Sequence, residues 1–314
     1  MFDAVALGEL LVDFYDTGSG QFEACPGGAP CNVLAMLQKL GRRTAFIGKL
    51  GDDLFGKRLT GTIEGIGIDT RGVIYDPSVR TTLAFVSTDN AGERSFAFYR
   101  NPGADMMLRR DEVDAALIKS SRSFHFGTLS TTHPVVREAT YAAVALARDS
   151  GSIISFDPNL RPLLWDSLEE AQRQMAWGCA QCDVLKISDD EAEFLTGEKA
   201  VRAAAVAIGK RFPGIRLICV TGGRQGSSVL YDGLFIQEPA FDVAAVDTTG
   251  AGDTFCACIL DAVLQVGIDG FTEDSLRRTL RFANAAAGRV TTRKGALLSM
   301  PDRGEIEALM NGAE

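Results

Sequence analysis

One stretch restricts this chain more than any other: Asp247-Thr248-Thr249-Gly250-Ala251-Gly252-Asp253-Thr254-Phe255. A short apolar run, Val243 to Val246, leads into it, and Phe255, Ile259, Ala262, Val263 and Val266 follow at three- to four-residue spacing. That order predicts a strand, a glycine turn and an amphipathic helix. Gly250 and Gly252 lack Cβ, so the backbone can bend tightly and leave N–H groups free at the positive end of the helix dipole, where a phosphate is stabilised. Asp253 falls in the first helical turn, where its charge would repel a phosphate unless it handles a proton beside it. A general base for a hydroxyl nucleophile fits that placement; a capping Asp after a turn is the plain alternative. The spacing is neither GxxxxGK[ST] nor GxGxxG, since Phe255 stands where the third glycine would be.

Composition narrows the class of protein that surrounds this turn. The 314 residues are 46% hydrophobic and 23% charged, the balance of a globular chain with room for a large core. No run approaches the apolar length of a spanning helix, and Met1-Phe2-Asp3 does not begin a targeting segment, so a cytoplasmic protein without a membrane partner is expected. The net charge of −9, with scattered basic residues, argues against nucleic acid and requires local Arg or Lys wherever an anion binds. Seven cysteines in no regular framework suit a reducing compartment, and the lone Cys179-Ala180-Gln181-Cys182 is read as packing at a helix end.

Along the chain, residues 3–8 predict a buried strand, and 11–15 and 21–25 predict exposed strands around Thr17-Gly18-Ser19-Gly20. Asp13 lies among apolar neighbours there. Cys25-Pro26-Gly27-Gly28-Ala29-Pro30-Cys31-Asn32 then enters a helical run, with Asn32 placed to offer a donor and an acceptor to vicinal hydroxyls. After a strand at 44–48 and a helix at 52–64, the runs Gly72 to Tyr75, Thr82 to Thr88 and Arg94 to Arg100 follow without helices between them. With the strands near Asp13 they predict a small antiparallel lid, formed by segments at about 11–25 and 71–104 and inserted in a single α/β domain covering 1–314. Its apolar face, including Phe85, Val86, Phe96 and Phe98, predicts pairing with a second copy into a homodimer.

From residue 111 helices and strands alternate again: helix 111–119, strand 123–127, helix 134–149, strand 152–156, helix 167–180, strand 183–187. The alternation predicts an α/β fold with a mostly parallel central sheet, helices on both faces, and ligands beyond the strands' carboxyl ends. Asp157-Pro158-Asn159-Leu160-Arg161, Ser188-Asp189-Asp190-Glu191 and Thr221-Gly222-Gly223-Arg224-Gln225-Gly226 all lie at such ends. Residues 272–290 predict a helix whose small residues around Asn284 admit a flat ring. His125 and His133 are read as structural.

These motifs resemble the ribokinase-like (PfkB) sugar kinases over nearly the whole chain. Asp247 to Phe255 is similar to the family's C-terminal signature, with Cys258 departing where Ala or Gly is usual, and Gly27-Gly28-Ala29-Pro30-Cys31-Asn32 is similar to its N-terminal GGxxxN. The resemblance implies that Asp13, Gly28 and Asn32 hold a sugar, that Asp253 is the base, and that the N–H groups of Ala251, Gly252 and Asp253, in the turn that begins at Gly250, receive the phosphate with help from Arg161. It implies ATP against Thr221, Gly223, Gly226 and Asn284, with Gly252 shared between the two ligands. It further implies Mg²⁺ organised through water by Glu191, Ser188 replacing the family's Asn, and K⁺ between Asp247, Thr249 and carbonyls near Val290, Arg293, Gly295 and Ser299.

Within the family, residues 98–108, 155–165 and 186–197 look like the fructokinase branch, which implies phosphorylation of fructose at its 6-hydroxyl, with Arg100 and Phe98 touching the sugar from the lid. Two alternatives stand beside it. Arg100 and Arg161 would also suit the carboxylate of 2-keto-3-deoxygluconate, and a kinase-like subunit without catalysis would keep the fold alone.

Overall fold

In the first strand, Ala4 and Ala6 pack into one apolar core and Val5 and Leu7 into another. Alternate residues of a strand face opposite sides, so this strand has helices on both faces. The computed structural model describes residues 1–18, 20–88 and 94–312, with the side chains at 88 and 94–96 outside the description. Its order is β1 (Phe2–Leu7), β2 (Leu11–Asp16), β3 (Phe22–Gly27), α1 (Ala29–Lys39), β4 (Thr44–Gly51), α2 (Leu54–Ile66), β5 (Asp69–Asp76), β6 (Leu83–Thr88) and β7 (Arg94–Tyr99). Then come α3 (Ala115–Lys119), β8 (Ser121–Gly127), α4 (Pro134–Asp149), β9 (Ile153–Asp157), α5 (Leu168–Gln181), β10 (Val184–Ser188), α6 (Asp189–Thr196) and α7 (Val201–Arg211). The chain finishes with β11 (Leu217–Thr221), β12 (Ser227–Tyr231), β13 (Leu234–Glu238), α8 (Ala251–Val266), α9 (Glu273–Thr291) and α10 (Arg303–Met310).

Among the described residues, nine strands form a sheet in the order β13-β12-β11-β10-β9-β8-β1-β4-β5. It is parallel from β11 to β5, and antiparallel at the β12 and β13 edge. Residues of α1, α8 and α9 build the core on one face, and those of α4, α5 and α7 the core on the other. Local signals set the helix ends: Asp53 accepts the Gly56 N–H at 2.9 Å before α2, and Gly67, at φ 101°, ends it. α8 runs through the core, and full burial of Phe255 alone is worth about 2 kcal/mol.

A second sheet, β3-β2-β6-β7, stands apart as the lid. It departs from the expectation in three ways. Residues 72–75 are not part of it: β5 pairs parallel with β4 as the edge of the large sheet, because a strand that follows β4 and α2 can return beside β4 by a right-handed crossover. The lid is mixed rather than antiparallel, since β2 and β6 run parallel. Its apolar residues also divide between two faces. Val86 and Phe98 line the cavity beneath, whereas Phe85 stacks on Phe14 with ring centroids 5.0 Å apart on the outer face, beside Phe22 and Tyr99. The Phe96 side chain, Ser19 and residues 90–92 lie outside the described residues.

Two other expectations are corrected. Val243 to Val246 is not a strand; Val246 and Asp247 donate their N–H groups to the Thr291 carbonyl at the end of α9, at 2.7 and 3.0 Å. The segment therefore runs along a helix end instead of entering the sheet. The helix expected at 111–119 is regular only from Ala115 to Lys119, where Asp114 caps it. By contrast, β12 and β13, which no motif marked, complete the sheet.

Candidate active site

The turn before α8 separates two cavities. One, of about 280 Å³, is lined by Asp13, Asn32, Phe98, Arg161, Lys186 and Asp253 among others. The other, of about 500 Å³, is lined by Thr221, Gly223, Gly226, Phe241, Val243 and Asn284 among others. Thr248 and Gly252 line both. The wall between the cavities is thus the first turn of a helix.

Gly250 takes φ 79°, a left-handed conformation, and a Cβ there would lie 2.4 Å from that of Ala296. A Cβ on Gly252 would lie 2.8 Å from Lys186 Nζ. With side chains excluded at both positions, the N–H groups of Gly252 and Asp253 meet no acceptor among the described residues, while that of Ala251 makes a long bond of 3.4 Å to the Thr248 carbonyl. Free donors at a helix start attract an anion.

Asp253 is buried, and its Oδ2 accepts the Nδ2–H of Asn32 at 2.8 Å. Burial first, and the charge of Asp157 second, push its carboxyl up to about 6, against the Asn32 bond, Lys186 and Arg161. It sits closer to neutral pH than an exposed Asp, as suits a group that takes a proton. Asn32 Oδ1 is buried without a partner among the described residues, an orphaned acceptor inside the same cavity. Across from it, Asp13 is pushed up to about 7 by burial, with Arg161 opposing and Asp247 adding to the rise.

Sequence reasoning missed three residues of this cavity. Lys186 is buried and lies 3.0 Å from Asp157 Oδ2; a lone Lys inside the apolar strand β10 was its only signal. Tyr15 Oη lies 3.1 Å from Thr249 Oγ1, tying the lid to the α8 turn. Glu9, at the end of β1, is buried in the cavity wall.

Other expected residues are placed differently. Arg100 does not line the cavity: it pairs with Asp105 at 2.6 Å and donates to Thr132 Oγ1 at 2.9 Å and to the Leu129 carbonyl at 3.0 Å. A buried guanidinium needs such partners, and Asp105, five residues on, supplies the countercharge. Glu191 reaches neither cavity. Its oxygens accept the N–H groups of Leu160 at 2.6 Å and Ser188 at 2.9 Å, closing a capping box that fixes α6 and the Asp157 to Arg161 turn. Arg161 lines the cavity, with Nη1 on its neighbour's carbonyl at Leu160.

Thr221, Gly223, Gly226 and Asn284 meet in the larger cavity; Asn284 Nδ2 also donates to the carbonyls of Glu238 and Pro239, at 3.1 and 3.0 Å, fastening the cavity's rim. Asp247 is buried between two loops, its Oδ1 accepting from Thr249 Oγ1 at 2.7 Å and its Oδ2 from the Gly295 N–H at 3.0 Å. Of the later segment, Gly295 is joined to Asp247 directly. Val290 accepts from Arg293 N, the Arg293 side chain pairs with Glu305, and Ser299 Oγ donates to the Lys294 carbonyl. His125 is buried on Ser155 Oγ at 3.0 Å and held down to about 3 by burial and Lys186, and His133 caps α4. Cys179 and Cys182 are free, buried thiols.

Comparison with known proteins gives the site its context. The model of the pfkB family carbohydrate kinases matches residues 1–303. Probable fructokinase-2 of Arabidopsis thaliana is 42% identical over 312 residues, covering 97% of this chain and 94% of the relative. The crystal structure of a fructokinase with bound ATP from Xylella fastidiosa superposes with a TM-score of 0.91 at 30% identity, over 100% of this chain and 99% of that one. A double mutant of the fructokinase from Vibrio cholerae O395, in a form with fructose, ADP and potassium ion bound, gives a TM-score of 0.86 at 29% identity over 98% of both chains. A helix turn with free N–H groups between a small polar cavity and a larger one, on a chain matched from end to end, leads to one conclusion: the protein belongs to the pfkB family of carbohydrate kinases.

Proposed function

We propose that this sugar kinase transfers the γ-phosphoryl group of ATP to the 6-hydroxyl of fructose, with Asp253 as general base. The observation that carries the reading is the shared wall: Thr248 and Gly252 line both cavities, and Asp253 opens into the smaller one. A sugar hydroxyl beside Asp253 gives up its proton as its oxygen approaches a phosphate that arrives from the larger cavity. The N–H groups of Gly252 and Asp253 face the charge that grows on the phosphoryl oxygens, with Lys186 and Arg161 nearby. Asp13, Asn32 and the Gly28 loop hold the sugar.

Magnesium enters with the nucleotide as part of the substrate. A Mg²⁺ held mainly by phosphates and water needs no protein cage, and no group of three His, Cys, Asp or Glu side chains gathers for one among the described residues. Glu191 has no part in the proposal, since its oxygens are engaged outside both cavities. A monovalent cation fits beside Asp247, a buried carboxylate joining two loops, where its charge would steady the α8 turn. Fructose is favoured over 2-keto-3-deoxygluconate because Arg100, one of the two cations a sugar acid would use, is held by Asp105. Steady-state kcat/KM for both sugars with ATP tests the reading; a larger value for the sugar acid overturns it.

A further inference from the structure

Glu9 stands where the large sheet hands the chain to the lid, and it is 4% exposed. Its Oε1 accepts the N–H of Ala29 at 2.9 Å. Ala29 opens α1, whose N-cap, Gly28, has no side chain to offer. The remaining hydrogen bond to the carboxyl comes from the residue's own N–H, and no side chain donates to it among the described residues. Arg100, a cation whose charge acts on it, is committed to Asp105, whose own charge opposes it. Burial pushes the Glu9 carboxyl up to about 7.

A helix start needs one acceptor, and a neutral amide oxygen provides that without burying a charge. A carboxylate is the costlier choice, and among the described residues only Ala29 and its own N–H donate to it. Glu9 and Ala29 line the same small cavity as Asp13 and Asn32. Gly28 packs so tightly on this wall that a Cβ there would lie 2.5 Å from the Glu9 carbonyl oxygen. A ligand hydroxyl is the missing donor, and hydrogen bonds to an ionised acceptor are among the stronger ones.

We propose that Glu9 is a sugar-binding residue that accepts a hydroxyl of a neutral sugar and, together with Asp13, excludes sugar acids from the cavity. The inference deepens the proposed function and rests on its assignment of the small cavity to the sugar. It adds a reason for the preference: Glu9, Asp13 and Asp253 line the cavity against Arg161 and Lys186, and Lys186 is already paired with Asp157, so an acid would meet net repulsion where a hydroxyl is welcomed.

The test compares wild type, Glu9→Gln and Glu9→Ala on fructose, on a panel of monodeoxy-fructoses and on 2-keto-3-deoxygluconate. Glu9→Gln keeps an acceptor for Ala29 and removes the charge, so it decides the matter even if Glu9→Ala does not fold. Losing one hydrogen bond to a charged group is expected to raise KM for fructose by about 10- to 100-fold while kcat stays within about threefold. For one monodeoxy-fructose, the substitution makes no difference, because the hydroxyl that Glu9 accepts is already gone. The ratio of sugar-acid to fructose kcat/KM rises at least about tenfold in Glu9→Gln, as a repelling charge is removed. Loss of kcat at unchanged KM, or an unchanged ratio, overturns the inference. A wild-type enzyme that ignores fructose but uses another neutral sugar removes the proposed substrate alone, and the same variants are then read on that sugar.

Discussion

Asn32 Nδ2 lies 2.8 Å from Asp253 Oδ2, and the amide oxygen of Asn32 has no partner among the described residues. One residue at the start of α1 thus orients the base with one end and waits for the ligand with the other. Asp253→Asn keeps that geometry and removes the base. Its kcat should fall by about 10² to 10⁴, the usual worth of a positioned general base. Stability should move the other way. The folded carboxyl sits near 6 against an ordinary 3.8, so the native state binds more protons than the unfolded one. Its stability is therefore greatest below the unfolded value and declines as pH rises to about 6. Above that, the ionised group costs the fold on the order of 3 kcal/mol, and Asp253→Asn should melt no lower than wild type at pH 8. In wild type, kcat should drop about tenfold per pH unit below about 6. A variant that keeps more than about a tenth of kcat ends the base assignment.

Gly252→Ala tests the Lys186 contact. The added methyl meets Lys186 Nζ at 2.8 Å, and Asp157 holds that ammonium in place. The expected result is a folded enzyme with kcat lowered about 10- to 100-fold through displaced charge at the phosphate. Lys186→Met should show a similar loss, and the double variant should lose little more than either, as residues acting on one charge do not add. Additive losses would mean that the two act separately.

Arg100→Ala separates structure from binding. Removing it leaves Asp105 buried without its cation, a change worth about 3–5 kcal/mol of stability. The melting temperature should fall steeply while KM for fructose at low temperature stays near wild type. A large KM effect with unchanged melting would return Arg100 to the sugar.

How far such roles could be read in the sequence depended on distance along the chain. The α8 turn, the helix periods and the glycine turns at strand ends are local patterns, and the residues they marked, among them Gly28, Asn32, Thr221, Gly226 and Asp253, do line the cavities. What failed was the choice of partner. The β5 run has the same composition whether it joins the lid or lies against β4. Strand residues at 85, 86 and 98 are all apolar, but alternation sends the first outward and the others inward. Arg100 and Glu191 carry chemistry that suits a ligand, and neighbouring backbone and carboxylate groups reach them first.

Potassium should raise the rate over sodium or Tris alone. Asp247 Oδ2 and the Gly295 N–H meet at 3.0 Å, so a cation that orders this junction also orders the Gly250 turn. Equal rates in desalted buffer with and without K⁺ would take the ion out of the mechanism.

The lid's outer face should pair two chains. Phe22 is 47% and Tyr99 67% exposed, and both pack edge-on against the half-buried Phe85. Light scattering should show a dimer for wild type and a monomer for Phe22→Ser with Tyr99→Ser. A wild-type monomer at micromolar concentration rejects the pairing.

The bonds that close the small cavity span almost the entire chain: 234 residues separate Tyr15 from Thr249, and 221 separate Asn32 from Asp253. Contacts of such sequence separation form late, because a long loop must close before they can be made. A growing or truncated chain without α8 has half of each bond and no sugar pocket. Ligand that binds only the completed fold then adds to the stability of the whole unit. The protein should be most resistant to protease when sugar is present, over its full length and not only at the lid.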